Sequence, residues 1–339
     1  MKKADRSLTD KTLGTSGYST SFVFKQDKYP LLKELYGERY VEYRRRWSAG
    51  KTEEYPDFPL NIDIVPNEAC NLRCVICPLT EKQRSGRGCI SGEILERIHR
   101  EAVEHRLCAI NIGGIEPLSH KASFLDVLKI SKAIAPIDLM IHTNGTMLAG
   151  DVLEAIMDAG VTTLCVSLDS ATPATYRAVR GKDYLPRIEQ SLIRLAELKQ
   201  ERRSHFPLVQ LSFCVNPLNF SEREMFVEQW QHVGQQFCFQ QYRWEKGVNI
   251  EPTEEFEPIP EIDCDSPFLR CAVAPNGDVF PCCSSRNEDL ILGNILETSI
   301  YELWHGDKMQ GIRRSLKDRP DLRCKTCKAC VRSFYDLKA

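Results

Sequence analysis

The sequence predicts an α/β protein built around a parallel sheet, and three observations carry that prediction. Short apolar runs rich in β-branched residues alternate six times with amphipathic helical stretches between Ile62 and Tyr242. Such alternation implies parallel strands joined by right-handed crossovers. The runs also carry two unlike faces, because successive side chains alternate across a strand. In one of them Val209, Leu211, Phe213 and Val215 share a side, while Gln210, Ser212, Cys214 and Asn216 share the other. The third observation is a set of fifteen cysteines with two clusters, at 70–77 and 264–330. An open doubly wound sheet and a partial barrel both satisfy the alternation.

Taken in order, residues 1–27 have no clear period and read as a loose arm. From Tyr29 to Trp47, Leu32, Tyr36, Tyr40, Tyr43 and Trp47 recur every three or four residues, the face of one amphipathic helix packed on the outside or bottom of the main domain. Strands follow at Ile62–Val65, Ala109–Ile112, Leu139–Thr143, Thr163–Leu168, Val209–Val215 and Phe237–Tyr242. Between them come helices at Gly92–His105, Lys121–Ala133, Asp151–Ala159, Leu185–Gln200 and Glu222–Val233. The strands at 139–144 and 164–169 repeat the two-faced pattern, with Met140, His142 and Asn144 on one polar row and Cys165, Ser167 and Asp169 on another. A buried polar row is costly without partners, so the interior is expected to hold a polar ligand or ordered water. The acidic, Pro-rich stretch from Glu251 to Pro267 reads as a connector. Beyond it, Asn276-Gly277 between short apolar pieces signals a hairpin, and Thr298 to Leu316 reads as a helix. The expected division is an arm and helix over 1–58, the α/β domain over 59–250 and a cysteine-bearing extension over 251–339.

Composition narrows the partners. A net charge of −2 over 339 residues argues against a nucleic-acid or polybasic membrane surface. The runs Arg44–Arg46 and Lys199–Arg203 read as solvated faces. Met1–Asp10 has no apolar core for a signal peptide, and no apolar run nears the roughly 20 residues that cross a bilayer. A cytoplasmic protein is expected, and there clustered cysteines point to metal rather than disulfides.

Cys70, Cys74 and Cys77 are spaced C-x3-C-x2-C just after the first strand. Soft thiolates this close can wrap one small inorganic centre. Zinc is the other reading of the spacing, with a distant fourth ligand. On a strand-to-helix loop the spacing resembles the signature of the radical SAM superfamily. That resemblance selects the partial (β/α)6 barrel. It implies a [4Fe-4S] cluster held by three cysteines, whose open iron is chelated by S-adenosyl-L-methionine. One-electron cleavage then yields a 5′-deoxyadenosyl radical. It also implies a flavodoxin- or ferredoxin-type electron donor.

Later motifs extend the resemblance. Gly113-Gly114-Ile115-Glu116-Pro117 resembles the superfamily's motif for the methionine amino group; glycines permit close backbone approach. Asn144, within Thr143-Asn144-Gly145, and Ser167 with Asp169 fall where the family contacts the methionine carboxylate and ribose. Tyr176, Arg180 and Gly181 follow the family's Tyr-x-x-x-Arg-Gly pattern, with Arg180 placed to reach the cofactor carboxylate. Asn216 ends the fifth strand where cofactor or substrate is often touched.

The C-terminal segment resembles the SPASM/Twitch extension, a hairpin, a helix and a cysteine group around an auxiliary [4Fe-4S] cluster. The terminal run here is a shortened C-x2-C-x2-C. One auxiliary cluster is implied, with ligands drawn from Cys271, Cys282, Cys324, Cys327 and Cys330; structural zinc is the other reading. Cys89, Cys108, Cys165 and Cys238 read as apolar fillers.

The motifs describe radical generation and leave the substrate open. The polar interior and the short extension favour a small molecule such as a sugar, aminosugar or aminocyclitol, oxidised or epimerised. His142 or Tyr242 could serve as base and Cys214 as hydrogen-atom donor. The alternative is a peptide or protein maturase, although 58 residues are too few for a leader-binding domain. An iron–sulfur carrier without catalysis would have no need of the cofactor motifs.

Overall fold

The computed structural model describes residues 9–12, 20–50, 55–77, 88–259, 263–283, 288–317 and 324–338. The chain opens with β1 (Thr9–Thr12) and β2 (Thr20–Phe24), then α1 (Lys28–Tyr36) and α2 (Glu38–Ala49). The barrel strands are β3 (Asn61–Ile64), β4 (Ala109–Ile112), β5 (Asp138–Thr143), β6 (Thr163–Ser167), β7 (Leu208–Cys214) and β8 (Gln236–Gln240). The crossovers carry α3 (Gly92–Glu104), α4 (Lys121–Ile134), α5 (Gly150–Asp158), then α6 (Pro173–Arg180) with α7 (Leu185–Glu201), and α8 (Arg223–Trp230).

Strands β3 to β8 pair in parallel and in strict sequence order. A doubly wound sheet reverses its order at a switch point; none occurs here, so the half-closed barrel is the architecture. Ile62, Ile64, Ile110, Ile112, Leu139, Ile141, Leu164, Val166, Val209, Leu211 and Phe213 join the helices in one large buried core. Alternation therefore turns Asp63, Asn111, His142, Cys165 and Ser212 to the inside, the phase expected from sequence.

Two expectations about the N-terminal segment change. Strand β2 pairs antiparallel with β8, and β1 with β2, so described parts of the presumed loose arm extend the sheet. The single helix over 29–47 is two helices, broken at Gly37, whose φ of +55° lies in the region that favours glycine. Its apolar face does pack as expected: Leu32, Tyr40 and Tyr43 enter a second core with Leu60 and Ala109. From α1, Lys28 Nζ reaches Asp138 Oδ2 at 2.7 Å and Thr163 Oγ1 at 3.3 Å, at the N-terminal ends of β5 and β6.

After β8 come β9 (Tyr242–Arg243) and, in the extension, β10 (Phe256–Pro258), α9 (Ser266–Leu269), β11 (Arg270–Val273), β12 (Asp278–Phe280) and β13 (Gly293–Asn294). The extension continues with α10 (Ile300–His305), α11 (Asp307–Lys317), α12 (Lys325–Cys330) and β14 (Phe334–Leu337). The Asn276-Gly277 hairpin joins β11 to β12. It belongs to the barrel sheet, because β11 pairs in parallel with β3. The single helix expected over 298–316 is instead α10 and α11. Helix α10 starts at a capping box between Ser299 and Glu302, and Glu101 of α3 accepts from Ile300 N and Tyr301 N at 3.0 Å each. No described helix is long and apolar enough to cross a membrane.

Candidate active site

A pocket of about 270 Å³ opens at the C-terminal ends of the barrel strands. Its walls include Cys70, Cys74, Cys77, Gly114, Ile115, His142, Asn144, Ser167, Asp169 and Arg180. The cysteine loop follows β3 and is tied down at both ends. Buried Asn67 donates to the carbonyls of Glu116 and Pro117 at 3.3 and 3.0 Å. Further along, Val75 N donates to Val179 O at 3.0 Å, which seats the loop on α6.

The second glycine of the Gly-Gly pair is the one that geometry demands. Gly114 has φ +104°, and a Cβ there would come within 2.7 Å of Val65 Cγ1. Gly113 does not line the pocket, and a Cβ on it would make an ordinary 3.5 Å contact with His142 Cβ. Glu116 departs from the expected role. It is fully buried, and its oxygens accept from Thr143 Oγ1 at 2.7 Å, Leu118 N at 3.1 Å and Asn144 N at 2.6 Å. The side chain clamps the end of β5 and does not line the pocket, whose wall there is Gly114 and Ile115. Burial raises its pKa against those hydrogen bonds. Pro117 is likewise buried outside the pocket, opening the following helical turn.

Asn144 is positioned through a relay that the sequence reading missed. Its Nδ2 donates to Asn71 Oδ1 at 2.9 Å and lies 3.9 Å from Cys70 Sγ, while its Oδ1 accepts from Thr146 N and Oγ1 at 3.0 and 2.7 Å. Asp169 and Arg180 form a buried ion pair, each side chain 6% exposed. Asp169 Oδ1 also accepts from Cys214 N at 2.7 Å, and Arg180 Nη1 reaches Cys74 Sγ at 3.9 Å. Burial opposes the Arg180 charge, but Asp169 and Cys74 outweigh it and hold the guanidinium protonated. Helix α6 is itself anchored by Glu222, which accepts from Ala171 N at 2.7 Å and from Thr172 Oγ1 and Thr175 Oγ1.

Among the three groups considered for catalysis, His142 alone lines the pocket. Burial drives its pKa from 6.5 to about 4, so at neutral pH the ring is uncharged and offers a lone pair. Tyr242 is spent elsewhere: its hydroxyl donates to Ile250 O at 2.7 Å. The Cys214 thiol faces Gln241 O at 3.8 Å, outside the pocket wall, and burial pushes its pKa up. Asn216 is a turn residue rather than a pocket residue, donating to Cys214 O and accepting from Leu218 N.

Strand parity removes Cys271 from the second cysteine group. Cys271 pairs with Ile62 and lies in the large helix-side core, while Arg270 and Ala272 take the other face. Cys264, which the sequence reading left out, is with the group instead. Cys264, Cys282, Cys324 and Cys327 pack against one apolar cluster under the hairpin and α11. Cys327 N donates to Cys324 Sγ at 3.3 Å, and hydrogen bonding by Cys327 holds the Cys324 thiol below the usual thiol range. Cys330 is close enough to Cys264 for their charges to interact.

Both sites suit iron–sulfur clusters. The first offers three thiols, a glycine-bordered wall and polar groups for a chelating amino acid.

Comparison with known proteins agrees. A model of the radical SAM superfamily matches residues 64–229, and one for an iron–sulfur cluster-binding SPASM domain matches 264–331. A probable GTP 3′,8-cyclase of Methanothermobacter thermautotrophicus is 34% identical over 126 residues, 36% of this chain and 39% of the relative. The chain thus matches about two fifths of the length of that cyclase. An S-adenosyl-L-methionine-dependent 2-deoxy-scyllo-inosamine dehydrogenase of Niallia circulans is 23% identical over 79% of this chain and 91% of the relative. Among solved structures, BtrN in complex with AdoMet and 2-DOIA superposes with a TM-score of 0.55 at 20% identity, covering 79% and 92% of the two chains. Streptococcus suis SuiB bound to S-adenosylmethionine gives 0.61 at 14% identity, covering 96% and 94%.

Proposed function

The chain belongs to the radical SAM superfamily and carries a SPASM extension, and from that premise we propose that it oxidises a polar ring-shaped small molecule, an aminocyclitol or aminosugar, inside the barrel. Its cofactors are a [4Fe-4S] cluster with S-adenosyl-L-methionine and an auxiliary iron–sulfur cluster. When bound, they supply a 5′-deoxyadenosyl radical that takes a hydrogen atom from carbon and a store for the second electron. Cys70, Cys74 and Cys77 would hold the first cluster; Cys264, Cys282, Cys324 and Cys327 are proposed for the second, with Cys330 beside them.

The chain's own residues do the remaining work. Gly114 and Ile115 present backbone to the ligand amino group, while Asn144, Ser167 and Arg180 offer donors to its carboxylate. Asp169 offers a lone pair for ribose. His142, uncharged at the pocket wall, is placed to accept the proton of a substrate hydroxyl as the carbon it bears becomes a carbonyl. A flavodoxin- or ferredoxin-type protein is the proposed electron donor.

The observation that carries this reading is the polar inner face of the barrel, with Asp63, Asn111, His142 and Ser212 turned inward and His142 reaching the pocket wall, a setting for a hydroxyl- and amine-bearing ligand. The dehydrogenase of Niallia circulans, matched over 91% of its length, supports the same class. The test is anaerobic turnover with S-adenosyl-L-methionine, reductant and 2-deoxy-scyllo-inosamine or glucosamine. Stoichiometric 5′-deoxyadenosine and a product two hydrogens lighter are expected. A product of unchanged mass carrying solvent deuterium would make the enzyme an epimerase; turnover only with a peptide would make it a maturase.

A further inference from the structure

Below the pocket lies a polar group that nothing in radical generation uses. Asp63 of β3 is 5% exposed. Its Oδ1 accepts from Asn61 Nδ2 at 2.8 Å and from Asn111 Nδ2 at 2.9 Å. Its Oδ2 has no hydrogen-bond partner among the described residues; neither does Asn111 Oδ1, nor Arg270 Nε. Arg270 Nη1 forms an ion pair with Asp63 Oδ2 at 3.6 Å, longer than a hydrogen bond, and its guanidinium stands 5.1 Å from the Trp47 ring centroid.

Asp63 Oδ2, ion-paired to Arg270 but without a hydrogen bond, is thus left short of donors together with Asn111 Oδ1, and Arg270 Nε short of an acceptor, on the adjacent strands β3, β4 and β11. A half-satisfied buried network is expensive, and something that donates must complete it. The group does not itself line the reaction pocket but lies near its His142 wall: a Cβ on Gly113 would sit 3.5 Å from His142 Cβ and 4.0 Å from Asn111 Nδ2, and the Asp63 charge acts on the His142 ring.

We propose that Asp63 and Asn111, with Arg270 beside them, form the subsite that recognises the amino group of the substrate. This rests on the functional reading above and assigns its specificity. An ammonium donates to Asp63 Oδ2 and Asn111 Oδ1 at once, and a neighbouring hydroxyl oxygen accepts from Arg270 Nε. A ring with hydroxyls alone completes the geometry but forgoes the charge-assisted bond to Asp63, which is the stronger kind.

The experiment is calorimetric titration of the anaerobic holoenzyme, loaded with S-adenosyl-L-methionine. The probes are 2-deoxy-scyllo-inosamine and glucosamine, each beside the same ring with hydroxyl in place of the amine. The native chain should favour the amine by tenfold or more. Asp63→Asn should abolish that preference while leaving the hydroxyl ring within a few-fold, and Asn111→Leu should reduce it by itself. Iron content and S-adenosyl-L-methionine binding should match the native chain in both variants. The proposal is overturned if the variants keep the preference, or if amine and hydroxyl rings weaken alike, as they would were the group filled by water alone. A native chain that binds none of these rings overturns the functional reading itself. Should Asp63→Asn not fold, Asn111→Leu decides the matter by the same comparison.

Discussion

At the scale of single residues, the second cysteine group is where parity and spacing disagree. Cys271 fits the spacing, yet it shares a strand face with Val273, and that face turns to the helices. The signal was in the sequence: Arg270 and Ala272 occupy the opposite phase, so the period-2 rule alone removes Cys271. Cys264→Ala should therefore cost about half the iron, one four-iron cluster of two, while Cys271→Ala should keep it; iron analysis of anaerobic protein decides. His142 makes a second prediction. Its proton affinity is lower folded than unfolded, so the stability it reports is complete above about pH 6.5 and is lost as pH falls towards 4. His142→Gln should flatten urea-unfolding stability across that window by up to about 3 kcal/mol. Asn216 and Tyr242 show the opposite limit of sequence reading. Both residue types suit a site, and only the folded chain reveals that a turn and a loop carbonyl already occupy them.

At the scale of elements, the barrel strands and most helices were legible to within a residue or two because their periods are clean. Helix α6 was not, since its eight residues include Tyr176, Val179 and Arg180 turned inward and give no long apolar stripe. Breaks were also missed: Gly37 interrupts a continuous apolar face, and periodicity cannot see a positive φ. Beside the pairing of β3 with β11, one carboxylate ties the barrel to the extension. Glu101 of α3 caps the six-residue helix α10 by accepting from two successive amides, and His105 stacks on Tyr301 with ring centroids 5.0 Å apart. Glu101→Ala leaves Ile300 N unsatisfied in a buried setting, a loss of about 1–3 kcal/mol. Hydrogen exchange at Ile300 and Tyr301 should quicken accordingly, ahead of exchange in the barrel strands.

At the scale of the whole molecule, the barrel carries its pocket at the C-terminal ends of the strands, while at their N-terminal ends Lys28 reaches Asp138 and Thr163 on two of them. Lys28 is 19% exposed and Asp138 3%. Removing one partner of a buried pair strands the other, at roughly 3–5 kcal/mol. Lys28→Met should lower stability by that order, and adding Asp138→Asn should recover much of it, as a double-mutant cycle in urea would record. None of this was visible from sequence, because the pair joins positions far apart and Lys28 sits in a helix that reads as a surface element.

The pairing of β3 with β11 has a consequence for biosynthesis. The barrel's first strand waits for its outer neighbour until about 200 further residues have been made, on the order of 10–40 s at ribosomal speeds. Throughout that interval the strand preceding the cysteine loop presents a bare edge to solvent, a template for unwanted association. Delivery of iron and sulfide before the hairpin arrives would find the loop on a half-supported strand. Maturation is therefore expected to be post-translational, and chains stopped short of Arg270 should collect in inclusion bodies rather than accumulate as soluble, metal-loaded barrels.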